Sequence, residues 1–201
     1  MSEKSRYHHG NLRAALMQGA TQFIRLHGAE KLSLRALARE VGVSQAAPYR
    51  HFQDKVALLS ALASDGFERL GERMRATFEL HQQDPQSALR EVGEEYVRFA
   101  LSNPEIYRLM FGMKASEFDA SEMQVGHTEG YCILEQVIER GLEMGMFQQH
   151  DADMIAKTAW SMVHGYSSLL IDGVLELDET TALSQFQQMA AVWFNGVVNS
   201  R

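Results

Sequence analysis

The stretch SLRALAREVGVSQAAPYRHFQDK, residues 33–55, limits what this chain can become more than any other segment. Leu34, Leu37, Ala38 and Val41 fall at i, i+3, i+4 and i+7, which makes one buried helical face over 33–41. Gly42 supplies the stop, because a helix end often needs the left-handed conformation that glycine takes freely. Ser44 then suits an N-cap, its hydroxyl accepting from a backbone N–H two or three residues on. The spacing predicts a second helix over Gln45–Phe52, carrying Gln45, Tyr49, Arg50 and His51, hydrogen-bonding and aromatic rather than apolar. A short polar helix held against a small apolar one is how a helix-turn-helix offers side chains to the DNA major groove. Pro48 strains this pattern. It removes an early helical N–H and crowds the carbonyl four residues back, so the first turn should be tightened or irregular, with the ring facing inward toward Phe52.

The rest of the chain reads as all-α. Among 201 residues, 45% hydrophobic, there are only 3 prolines and no long polar tract. Ala, Leu, Met, Glu, Gln and Arg are plentiful, and alternating strand-like runs are scarce. The net charge of −7 seems wrong for a DNA-binding protein until it is divided. Residues 1–60 hold 9 Lys+Arg against 4 Asp+Glu, and residues 61–201 hold 10 against 22. A basic head therefore carries the footprint for phosphates, and an acidic body orients it by repulsion.

A single cysteine, Cys132, excludes an intramolecular disulfide. No apolar run reaches the roughly 18 residues a membrane span needs, and the first residues lack an apolar signal core. A cytoplasmic protein with no membrane contact is expected. Residues 1–10 form a polar arm with Lys4, Arg6, Tyr7, His8 and His9, suited to brushing phosphates rather than holding a metal.

Periodicity and punctuation predict nine helices in two domains, 1–54 and 55–201. The first spans 11–27, capped by Asn11, with Leu12, Leu16, Gly19, Phe23 and Leu26 inward and Gly28 at its end. After the pair at 33–52, Asp54 caps a long helix over 55–80. Pro85 opens another at its tolerated first position. Further helices follow over 106–113, 121–144, 152–175 and 179–199, with a polar loop at 115–121. In the last, Leu183, Phe186, Ala190, Trp193 and Val197 are spaced 3, 4, 3, 4, a heptad-like seam. With Met162, Tyr166 and Leu169 on the helix before it, this seam suits a four-helix homodimer bundle, and a two-fold protein suits paired half-sites.

Residues 10–60 resemble the DNA-binding domain of the TetR/AcrR family of bacterial regulators. The resemblance rests on Gly28, Ser33, Leu37-Ala38, Val41-Gly42-Val43-Ser44, Tyr49, His51-Phe52, Lys55 and Leu58-Leu59. It implies a recognition helix with Gln45, Ala46 and Ala47 toward the groove and His51 reaching a base or phosphate. Gln pairs well with adenine, and alanine methyls touch thymine methyls. Tyr49 resembles a family tyrosine that bonds a phosphate, and Arg35 matches a position that reaches guanine in relatives. Ser33 is a further phosphate contact at a helix cap. Lys55 adds its charge to a helix N-terminus, where anions bind. Ser44 and Arg50 complete the DNA-facing set.

The segment Trp160-Ser161-Met162-Val163-His164-Gly165 resembles one subgroup of the family with a Trp-x3-His-Gly pattern in the C-terminal domain. The resemblance implies a homodimeric repressor of a palindromic operator, released when a small-molecule effector binds inside each C-terminal domain. Candidate pocket residues are Tyr96, Phe99, Met110, Phe111, Met113, Met123, His127, Tyr131, Trp160 and His164, and the 11 methionines suit an adaptable apolar site. His127, Glu129 and Cys132 lie on different helical faces, so no metal site is expected, nor any cofactor. The other reading is an effector-independent architectural or division-linked DNA-binding protein, which would need no enclosed cavity. A phosphate-cradling Gly-rich loop, a nucleophile elbow, HExxH and paired cysteines are all absent from the sequence, so an enzyme is not expected.

Overall fold

The computed structural model describes residues 12–112, 120–147 and 151–197, leaving aside the side chains of 120–128 and 197. The polar arm, the Asn11 cap and the pocket candidate Met113 lie outside the described residues, as do the side chains of Met123, His127 and Val197.

Among the described residues the fold has eight α-helices: α1 Leu12–His27, α2 Leu34–Val41, α3 Lys55–Leu80, α4 Pro85–Ser102, α5 Pro104–Gly112, α6 Ala120–Glu143, α7 Ala152–Ile171 and α8 Glu179–Val197. The all-α reading holds, with eight helices in place of nine. The ninth was to be Gln45–Phe52. There the chain forms turns and a short 3-10 segment, Pro48–Arg50. The physical reason is Pro48, which has no N–H to give to the Ser44 carbonyl. Ser44 accordingly caps nothing with its side chain: the 3-10 segment starts from Ala47 without a side-chain cap.

Caps fix most other boundaries. The Ser33 hydroxyl accepts from the Ala36 N–H at 3.1 Å, and the Asp54 carboxylate accepts from the Ala57 N–H at 2.8 Å. Asp84 and Asp151 do the same for α4 and α7. The hydrogen bond from Ser87 holds the Asp84 carboxyl below its ordinary range. Gly42 sits at φ 74° and closes α2, its N–H reaching the Arg39 carbonyl while the Val43 N–H reaches that of Ala38. That pair of bonds is a Schellman stop.

In the head, α1 lays Leu16, Ala20 and Ile24 against Leu34, Leu37 and Phe52. The inward face is thus the i, i+4 row, and Leu26, expected inside, is 60% exposed. The long α3 joins both parts: Leu58 and Leu62 belong with the head, while Phe67, Leu70 and Met74 meet Val92, Tyr96 and Ile133 of the body. A second cluster, Leu89, Leu134, Val137, Ile138, Phe147, Ile155 and Ala159, fills the far end.

Candidate nucleic-acid interface and inner cavity

The head offers a surface of exposed polar and cationic groups built on the α2 turn. Ser33, Arg35, Ser44, Gln45, Ala46, Tyr49, Arg50 and His51 are all exposed, and Ala47 and Lys55 are half-buried. Pro48 is buried, as its expected inward direction required. Tyr49, 50% exposed, stands out from the turn.

One assignment changes. Lys55 does not make an open anion site with the N-terminus of α3, because the Asp54 carboxylate already caps that end. The Lys55 ammonium instead donates to the Glu30 carbonyl at 2.9 Å, tying α3 to the segment between α1 and α2. Its charge stays on the head, with protons to spare. A residue absent from the sequence reading also contributes: the Arg13 guanidinium lies over the Phe52 ring, 5.4 Å from its centroid, bracing the turn from α1. The Arg13–Phe52 spacing along the chain carries no signal for such a contact.

The electrostatic division is sharper than the charge count. The described head holds Arg13, Arg25, Lys31, Arg35, Arg39 and Arg50, and Lys55 adjoins it as the first residue of α3; none of these is in an ion pair among the described residues. Every described Lys and Arg beyond Lys55 is: Arg69 with Asp65, Arg73 with Glu95, Arg75 with Glu129, Arg90 with Glu91, Arg98 with Glu94 and Glu179, Arg108 with Glu105 and Asp172, Arg140 with Glu143, and Lys157 with Asp153. Exposed ion pairs contribute little to stability, about 0–1 kcal/mol each. Their consequence here is to neutralise the body's cations while the head's remain available.

Inside the body, an apolar cavity with about 30 Å³ of free space lies among α3, α4, α6, α7 and α8. Met74, Val92, Tyr96, Leu134, Trp160, Met162, Phe186, Ala190, Trp193 and Phe194 are among its walls. Of the pocket candidates, Tyr96 and Trp160 line it. Phe99 and Met110 are buried core, while Phe111, Tyr131 and His164 are half-buried neighbours in the surrounding aromatic cluster.

A polar knot sits in that cluster. The Tyr96 and Tyr107 hydroxyls are 3.1 Å apart, and His164 Nδ1 is 3.1 Å from the first and 2.7 Å from the second. One chain of donation, Tyr96 to Tyr107 to His164, satisfies all three groups with the imidazole proton on Nε2. Burial pushes the Tyr96 phenol well above its ordinary range and that of Tyr107 up to about 12. Tyr107 was missed because the 106–113 run reads simply as apolar.

The seam residues are redistributed. Met162, Phe186, Ala190 and Trp193 line the protomer's own cavity. Leu183 is buried, and Tyr166 is buried with its hydroxyl donating to the Ala182 carbonyl at 2.8 Å. Of the expected seam residues with described side chains, only Leu169, 44% exposed, faces out. It is joined on the surface by Met189 and Val192 of α8, at 36% and 75%. The cause is Gly93 on α4: without a Cβ, it lets the Phe186 ring approach, where a methyl would sit 2.6 Å from the ring. The heptad stripe therefore packs inward.

Comparison with known proteins agrees with this geometry. Residues 16–62 match the profile of the bacterial regulatory proteins of the tetR family, and residues 89–192 match the tetracyclin repressor-like C-terminal domain. The nucleoid occlusion factor SlmA of Vibrio cholerae is 31% identical over 103 residues, 51% of this chain and 52% of that protein. The match thus spans about half the length of this curated relative. A protein of unknown function from Rhodococcus sp. RHA1 has the same fold, with a TM-score of 0.85 and 31% identity over 98% of this chain and all of the other. The tetR-family regulator PfmR of Thermus thermophilus superposes with a TM-score of 0.73 at 20% identity, covering 92% of this chain and 99% of its own. The helix-turn-helix head, the helical body and both family matches together place the chain in the tetR family of DNA-binding bacterial regulatory proteins.

Proposed function

We propose that the protein is a repressor that grips a two-fold symmetric operator as a homodimer and releases it when an apolar small molecule enters each body. The observation that carries this reading is the division of ion pairing. Unpaired head cations are free to displace counterions from phosphates, the main source of DNA affinity. In this reading Ser33, Tyr49 and Lys55 hold phosphates, Arg35, Gln45 and His51 read bases, and Ser44, Ala46, Ala47 and Arg50 complete the contact surface. The head is residues 1–54 and the body 55–201, and the protein works on DNA in the cytoplasm.

Leu169, Met189 and Val192 support a dimer seam on the outer faces of α7 and α8. The Trp-x3-His-Gly subgroup fits the roles of two of its residues, since Trp160 walls the cavity and His164 ties the buried tyrosines. The cavity's free space of about 30 Å³ has room for about two waters, far below the roughly 300 Å³ of a small-molecule site. An effector must therefore part α4 from α8, so its affinity differs between closed and open bodies, as two-state release requires.

The same small cavity favours a second reading, an effector-independent factor that acts on the nucleoid, to which the SlmA resemblance also points. Both readings are tested by sequencing genomic DNA bound to the purified protein and following its tryptophan fluorescence. Both of the chain's tryptophans line the cavity. A few symmetric promoter sites, with DNA released by compounds that shift the emission, match the first reading. Sites dispersed over the chromosome, with no compound releasing them, match the second.

A further inference from the structure

Pro48 does more than interrupt a helix. In an α-helix capped by Ser44, the N–H of residue 48 would bond the Ser44 carbonyl, and a proline ring would clash with that oxygen. Here the Ser44 carbonyl accepts from the Ala47 N–H at 3.0 Å, and the Ala47 carbonyl from the Arg50 N–H at 3.2 Å. The Pro48 carbonyl takes both the His51 and Phe52 N–H groups at 3.0 Å. The segment is thus a chain of tight turns pinned at two points, Pro48 and Phe52, both buried. Between the pins, Tyr49, Arg50 and His51 are three consecutive exposed side chains. None of them has a side-chain hydrogen-bond or ion-pair partner among the described residues.

We infer that Pro48 is a positioning residue for DNA reading: by holding Ser44–His51 out of an α-helix, it presents Tyr49, Arg50 and His51 together to the DNA. This rests on the DNA-binding reading of the head. A regular recognition helix puts its N-terminal residues against base edges. In this chain those would be Gln45, Ala46 and Ala47, and two methyl groups discriminate little. The tight turn brings forward a phenol, a guanidinium and an imidazole, and Arg pairs two-pronged with guanine.

The test is selection of binding sites from a random duplex pool by the full chain, as wild type, Pro48→Leu and Pro48→Ala. Leu keeps apolar bulk for the buried position and restores the N–H. The variants should keep the wild-type salt dependence on non-specific duplex, because no phosphate-neutralising cation is removed. They should bind the wild-type site about tenfold or more weakly, the cost of at least one misread base pair, and enrich a different consensus. An unchanged consensus and affinity would overturn the inference. A wild-type chain that enriches no sequence would instead defeat the sequence-specific reading on which it rests, and this inference with it. Backbone chemical shifts of wild-type residues 45–51 bound to the selected duplex decide the matter if the variants fail to fold. Turn-like values uphold the role of Pro48, and continuous α-helical values overturn it.

Discussion

Tyr49 and Tyr107 show how much a side chain's surroundings decide its task. Tyr49 is half exposed on the head, and its hydroxyl is free to bond a phosphate. Tyr49→Phe should cost about 1.5–3 kcal/mol of DNA affinity, evenly for specific and random duplexes; competition titrations against both check this, and a loss confined to one sequence would make Tyr49 a base reader. Tyr107, 1% exposed, spends its hydroxyl on Tyr96 and His164. Its folded pKa of about 12 lies above the value near 10 it has when unfolded, so the fold prefers the neutral phenol. That stability is fully present below about pH 10 and is lost as pH rises toward about 12, because the unfolded chain gives up its proton first. Tyr107→Phe should lose about 1 kcal/mol at neutral pH, yet show a shallower fall in melting temperature between pH 9 and pH 11. An equally steep fall would place the alkaline sensitivity elsewhere.

At the level of elements, caps and close approaches set what sequence reading could and could not reach. The ends of α2, α3 and α4 were legible because Ser33, Asp54, Asp84 and Gly42 act through neighbours three or four residues away. Ser33→Ala should accordingly destabilise the protein by about 1 kcal/mol in denaturant melts. The packing face of α8 was not legible. Leu183, Phe186 and Ala190 repeat as a dimer seam would, but whether such a stripe turns inward depends on a gap in another helix. That gap is Gly93, some ninety residues earlier. Gly93→Ala should cost about 1–3 kcal/mol by forcing the Phe186 ring away. If an effector does part α4 from α8, the same variant should bind DNA more weakly without any compound. Likewise Pro48 foreshadowed a tightened first turn, but not the loss of the helix expected over 45–52, since how far the turns extend depends on the burial of Phe52.

For the whole molecule, a head with free cations and a body with paired ones is a division of labour that assembly must double. The outward apolar residues Leu169, Met189 and Val192 locate the proposed seam. Val192→Glu should yield a folded monomer by sedimentation, whereas Phe186→Glu should unfold the body by burying a charge; a Val192→Glu protein that stays dimeric would move the seam to another face. The most direct test of the account is the salt dependence of DNA binding. Arg35, Arg39 and Arg50 changed together to Gln should flatten the slope of log affinity against log salt by up to about five units per dimer. The matching body variant, with Arg69, Arg98 and Arg140 changed to Gln, should leave the slope where it was, because those charges are already paired. Equal slopes for the two variants would contradict the claim that the unpaired cations of the head are what bind DNA.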